Sequence, residues 1–207
     1  MPIPNTTGKD DWRTPPLVLD WVRSRYGRID LDLCATDQTV AVCPLYVGPG
    51  RAGLGGEEHV ALDRHDIRRN DWTDALRWDP ELWTAPASSH VWCNPPYSRP
   101  AGGLEAWCRK MYEVSLAGYR VTSLFFARTE TVAWHEYVAK ASEVWFIRRR
   151  LKFLDPETGE PRHPAPAPSV LVHWDAHQDW RNPATREGGS PDYHNLDLQA
   201  WADGGEE

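Results

Sequence analysis

Four short apolar runs constrain this chain more than anything else in it: His90–Cys93 (HVWC), Val121–Ala127 (VTSLFFA), Glu143–Ile147 (EVWFI) and Ser169–Trp174 (SVLVHW). Runs this short suit buried strands and fall below the usual length of a helix. Segments with helical periodicity lie among them. In GLEAWCRKMYEVSLA (103–117), Leu104, Trp107, Cys108, Met111 and Ser115 share one face, and Gly118 is a natural stop. Residues 129–141 carry Val132, Ala133, Glu136, Tyr137 and Lys140 on a second helical pattern. Upstream, Thr14-Pro15-Pro16 has the form of a helix start, with Thr14 as N-cap and proline at the first helical position. Leu17, Val18, Trp21, Val22 and Tyr26 follow at helical spacing, and Gly27 ends the run. Ile29, Leu31 and Leu33 then alternate with Asp30 and Asp32, a strand signal. Strands alternating with helices imply an α/β fold, a mostly parallel central sheet flanked by helices. In such sheets ligands bind at the carboxyl ends of strands. Three segments fall there and would converge on one crevice: Asp32-Leu33-Cys34-Ala35, Asn94-Pro95-Pro96-Tyr97 and Ala127-Arg128-Thr129.

The length of 207 residues fits a single domain. The expected division is a loose arm at 1–11, the folded domain at 12–174 and an acidic tail at 175–207, peripheral or partly disordered. The net charge is −7, but it is uneven. Residues 175–207 hold eight acids and two bases, while 1–174 hold 22 acids and 21 bases. Against that near-neutral background Arg148, Arg149, Arg150 and Lys152 stand out as a cluster of positive charge. The four cysteines match no zinc or redox spacing, so they are expected to be reduced thiols with no metal bound. There is no apolar run of about eighteen residues and no secretory leader pattern, so a cytoplasmic protein without a membrane partner is expected. Pro44–Gly56 reads as a glycine-rich loop, and the Trp-punctuated stretch up to residue 88 has no assignable pattern.

The turn Asn94-Pro95-Pro96-Tyr97 carries the chemistry. Two prolines remove two backbone donors, fix two φ angles near about −65° and drive Asn94 out of the helical region. Such stiffness suits the methylation of an exocyclic amine, whose lone pair is delocalised into the ring and is a poor nucleophile. Two acceptors that bind the amine's two hydrogens would hold the nitrogen toward tetrahedral geometry. The side-chain oxygen of Asn94 and the carbonyl of Pro95 are such acceptors, and Pro96 fixes their spacing. Tyr97 would stack on a base taken out of the duplex.

Several motifs then occur in order: DDWRTPPLVLDWV, IDLDLCAT, VWCNPPYS, LFFARTETVAWHEYV, EVWFIRRRLKFLD and APAPSVLVHW, together covering residues 11–174. In these the chain resembles the phage-type DNA adenine methyltransferases of the Dam family, which use S-adenosylmethionine. It departs from that family's pattern at Arg149, where glycine is usual, at Leu33, where proline is usual, and in the stretch between Gly53 and His90. The resemblance implies a Rossmann-like methyltransferase fold acting on adenine in double-stranded DNA with base flipping. It implies cofactor contacts from Trp12, Thr14, Pro15, Asp32, Ala35, Asp71 and Asn94. It implies substrate contacts from Tyr97, Ser98, Arg128, Thr129, Arg150 and Lys152. It also implies a phage or prophage origin, with restriction protection, genome marking and evasion of host nucleases all open as roles.

Four other readings share parts of this pattern. The same turn serves methylation of a cytosine amine, of adenine in RNA, or of a glutamine amide in protein. The RNA and protein enzymes carry a glycine-rich cofactor loop, which is not visible upstream of Asn94. A catalytically silent DNA-binding protein is the reading from another class, and intact Asn94 and Tyr97 weigh against it.

Overall fold

The computed structural model describes residues 12–34, 43, 76, 79–82, 85–86, 88–96, 103–155, 157–175 and 190–204. Ala35, Asp71, Tyr97 and Ser98, the arm at 1–11 and most of 44–88 lie outside them.

A six-stranded sheet organises the described residues, in the order β1-β2-β3-β5-β4-β6. The strands are β1 (Leu31–Asp32), β2 (His90–Cys93), β3 (Arg120–Phe126), β4 (Glu143–Ile147), β5 (Ser169–Trp174) and β6 (Asp192–Leu196). Five share one direction. β5 opposes them, so its pairings with β3 and β4 are antiparallel while β1–β2, β2–β3 and β4–β6 are parallel. The expectation of a mostly parallel sheet is thus met only in part: three of the five pairings are parallel and the two made by β5 are not. Residues 148–168, which join β4 to β5, hold no helix among the described residues, and β5 lies antiparallel beside β4.

Alternation along each strand sorts the core onto two faces. Val91, Cys93, Val121, Phe125, Val170 and Val172 meet Trp107, Cys108 and Met111 of α2 (Gly103–Leu116) and Trp134 of α3 (Val132–Glu136). Trp92, Leu124, Phe126 and Leu171 meet Val18, Trp21 and Val22 of α1 (Pro16–Tyr26) on the other face. Leu198, at the start of α4 (Leu198–Ala202), joins this second cluster with Leu196 of β6. Residues 192–202, which the sequence pattern leaves in a peripheral tail, are thus the last strand and helix of the fold. β6 pairs with β4 along its whole length although its side chains are mostly exposed. Backbone pairing with β4 holds it, together with the His194 ring stacked on Trp145 at 4.0 Å, in place of an apolar stripe.

Local departures from expectation have local causes. The N-cap of α1 is Pro15, and no side chain caps it. Thr14 is used elsewhere. α3 begins after Thr131, whose hydroxyl accepts from the Trp134 amide, and it breaks at Tyr137 into the 3-10 turn Val138–Lys140. Beyond β4, Arg149 has φ 66°, the one non-glycine positive φ among the described residues. For a residue with a Cβ this left-handed conformation costs about 1–2 kcal/mol. It is the position at which the resemblance implies glycine.

At the amino edge of the sheet lies a buried polar relay. The Thr122 hydroxyl stands 2.8 Å from His90 Nε2 and 2.8 Å from His173 Nδ1, and Tyr26 stacks on the His173 ring at 3.7 Å. Burial is the main force holding His90 down at about 4 and His173 well below 6.5. Both rings stay neutral in the fold, whereas an unfolded chain would protonate them below about 6.5. Stability is therefore full above that value and falls as pH drops toward about 4, because the unfolded state takes up two protons the fold refuses. Asp32, raised to about 7 by burial, acts in the opposite sense with one proton over much of this window. The net loss should be on the order of 1 kcal/mol per pH unit. Urea unfolding midpoints measured from pH 7 down to pH 5 should fall steadily, and a flat profile would contradict the relay's neutrality.

Candidate active site

The carboxyl ends of β1, β2, β3 and β4 open on one edge. β1 ends because its own aspartate turns the chain: Asp32 Oδ1 accepts from the Cys34 amide at 3.0 Å. The Leu33 amide still donates to the Trp92 carbonyl at 3.0 Å, so the end of β1 lies directly beside the end of β2. The Cys34 and Cys93 sulfurs are 3.4 Å apart as free thiols, and all four cysteines are free and buried. Asp32 is 3% exposed, and its carboxyl is pushed up to about 7 by burial, against the lowering effect of the Cys34 N–H.

Asn94 follows β2 two residues after Trp92, on the α1 face. Its side-chain nitrogen donates to the Trp12 carbonyl at 3.0 Å and to the Thr14 hydroxyl at 3.1 Å. A carbonyl can only accept, so the Trp12 contact fixes which branch of the amide carries nitrogen. The side-chain oxygen occupies the other branch. Pro95 and Pro96 are buried, and Asn94 itself is partly exposed. Thr14 thus orients Asn94 instead of capping α1, and Pro15 and Pro16 fix the approach of its segment.

Trp12 is the hub between this turn and a ribbon that the sequence did not announce. Its ring packs at 5.1 Å on Phe153 and 6.3 Å on Phe126, and its Nε1 is buried with no partner among the described residues. Arg13 and Leu154 exchange backbone hydrogen bonds of 3.2 and 3.0 Å. Phe153 accepts from the Arg162 amide, and Leu151 from the Ala165 amide. Arg162 also donates twice to Asp155 Oδ2, at 3.0 and 2.6 Å, which holds that carboxyl well below its usual range. The outcome is a groove of about 640 Å³ lined by Trp12, Lys152, Pro161, Arg162, His163 and Pro164. That volume suits a small ligand or part of a larger one. The turn-forming DPETGEPR stretch was the available sequence signal for the ribbon, but nothing in it indicated that it docks on Arg13.

The expected substrate contacts divide. Arg128 and Thr129 stand exposed past the end of β3. Lys152 is exposed and lines the groove. Arg150 donates to the Ala165 carbonyl at 3.0 Å, so one of its nitrogens braces the ribbon. Trp12, Thr14 and Asn94 form one hydrogen-bonded group, with Pro15 next to it in the chain, and Asp32 lies at the end of the neighbouring strand. Ala35, Asp71, Tyr97 and Ser98 are outside the described residues. Among the described residues no helix is long and apolar enough to cross a membrane, and no group of three or more His, Cys, Asp or Glu could hold a metal ion.

The family model described as DNA N-6-adenine-methyltransferase (Dam) matches residues 67–191, more than half of the chain. A DNA N-6-adenine-methyltransferase of Escherichia phage T1 is 26% identical over 167 residues, covering 73% of this chain. The match spans 57% of that relative's own length.

Proposed function

The chain belongs to the Dam family of DNA N-6-adenine-methyltransferases, and from that premise we propose that it transfers a methyl group from S-adenosylmethionine to the 6-amino group of adenine in double-stranded DNA. The carrying observation is the double anchoring of the Asn94 amide nitrogen by Trp12 and Thr14. It fixes which branch of the amide is the oxygen, the group proposed to accept from the amine, and orients it before substrate arrives. The Pro95 carbonyl is the second acceptor, held by a proline on either side of the peptide, and Tyr97 stacks on the flipped base. On methylation the amino group would have to give up one proton. Neutral amide and peptide oxygens are poor bases, so that proton departs to water.

Two features favour a polar cofactor at this edge. Asp32 is a buried carboxyl at a strand end, and Trp12 carries a buried N–H without a partner among the described residues. Bound S-adenosylmethionine supplies an electrophilic methyl group. Asp32, Trp12, Thr14 and Pro15 would line its amino-acid end, with Ala35, Asp71 and Asn94 contributing further contacts. The sheet, with its edge opening where Asp32 and Asn94 meet, is on this reading a Rossmann-like methyltransferase fold. The folded domain includes β6 and α4 as well as the residues before them.

The test is incubation of the purified chain with labelled S-adenosylmethionine and separate DNA, RNA and protein acceptors. Label should appear in DNA, on adenine. Label confined to RNA or protein would overturn the substrate, and no label in any acceptor would overturn the activity.

A further inference from the structure

Arg149 is the one place among the described residues where this chain sets a non-glycine residue in the left-handed region (φ 66°), and the conformation is costly for any residue with a Cβ. Its two neighbours have work inside the fold. Arg148 pairs with Asp197 at 3.4 Å, and its amide donates to the Leu196 carbonyl. Arg150 donates to the Ala165 carbonyl. Arg149 is exposed and engages no side-chain partner among the described residues. Nothing within the described fold offsets the strain, and glycine would sit there without it. A strained residue on an open edge is grounds for a functional hypothesis.

Its surroundings narrow the ligand. The segment 148–154 contains four cations and no acid, in a chain whose net charge is −7. The next acid along, Asp155, is already held by Arg162. Arg149 lies at the carboxyl end of β4, on the edge that carries Asn94 at the end of β2. The order β2-β3-β5-β4 puts three strand spacings between them, about 14 Å at about 4.8 Å each. That is about four base-pair rises along a duplex. Exposed Arg128, at the end of the intervening β3, and Lys152, on the groove beside Trp12, lie on the same edge.

Resting on the reading of this site as a DNA methyltransferase, we propose that Arg149 contacts the DNA backbone flanking the target adenine. It is a positioning residue. It grips a phosphate a few nucleotides from the flipped base and carries no sequence information itself.

The experiment measures binding of a DNA duplex by the wild-type chain, Arg149→Gly and Arg149→Lys over a range of salt concentrations, with thermal unfolding of each. In Arg149→Gly the slope of log affinity against log salt should become shallower by about 0.9, the value for one lost phosphate contact. Its affinity at low salt should fall several-fold, while its melting temperature should be unchanged or higher because the strain is gone. Arg149→Lys keeps the charge and should keep most of the slope. If the wild type methylates DNA and Arg149→Gly binds with unchanged affinity and slope, the inference is wrong while the activity stands. If the wild type neither binds nor methylates DNA, the reading beneath it fails as well. A lowered melting temperature in Arg149→Gly would contradict the strain argument directly.

Discussion

Asn94→Ala should lower the rate of methyl transfer by about 10²–10³-fold, the usual effect of deleting one preorganised polar group at a reacting centre. The residue acts through two directions at once. Its nitrogen is held by Trp12 O at 3.0 Å and Thr14 Oγ1 at 3.1 Å, and its oxygen is thereby aimed before substrate binds. Alanine removes the acceptor and releases both anchors. The amine would then keep only the Pro95 carbonyl, and its lone pair would return to conjugation with the ring. The fold should survive, because each lost hydrogen bond is worth about 1 kcal/mol net and the prolines still shape the turn. Cofactor binding should weaken far less than the rate, since Asn94 is one of several contacts. Single-turnover kinetics at saturating cofactor, alongside calorimetric cofactor binding, separates the two. Equal losses in both would mean that Asn94 serves the cofactor rather than the amine.

Replacing Asp32 by Asn should produce the second large effect, and its signature is in pH. Burial raises the free carboxyl to about 7. An amino-acid end carrying an ammonium group would favour the ionised form, so binding must first remove a proton whenever pH lies below that value. Wild-type affinity should therefore be greatest above pH 7 and decline as pH falls, approaching about tenfold per unit. Asp32→Asn cannot titrate. Its affinity should drop by about tenfold or more above pH 7 and vary little below it. The substituted amide still offers an oxygen to the Cys34 N–H, and a buried charge is gone, so stability at pH 8 should be unchanged or higher. Titration calorimetry from pH 5.5 to 8 measures this. A wild-type affinity that is flat in pH would remove Asp32 from the cofactor site.

The parts of this fold that could be read from the sequence are those with a dense local signal. β2, β4 and β5 begin and end where their apolar runs do, and α2 spans 103–116 where its periodicity does. β6 could not be read in this way. DYHNL has one buried side chain, Leu196, and its strand conformation comes from pairing with β4. β1 is shorter than its alternating residues suggested, because the Asp32 side chain captures the Cys34 amide and closes the strand. At the site, the stiffness of Asn94-Pro95-Pro96 is written in its residue types. Its orientation is not, since the anchoring partners Trp12 and Thr14 lie about eighty residues upstream and meet it only across the sheet edge. The same holds for the Arg13–Leu154 contact that brings the ribbon to Trp12. Thr14 is the clearest case of competition. A threonine ahead of two prolines has the local form of a helix cap, yet its hydroxyl binds Asn94 and α1 starts without a side-chain cap.

The central claim is that the Asn94 turn presents an adenine amine of DNA for methylation. Its most direct test is mass spectrometry of nucleosides from the DNA of cells expressing either the wild-type chain or Asn94→Ala. N6-methyladenine should rise above background with the wild type and stay far lower with Asn94→Ala. Methylcytosine in place of methyladenine, or equal methyladenine from both chains, would contradict it.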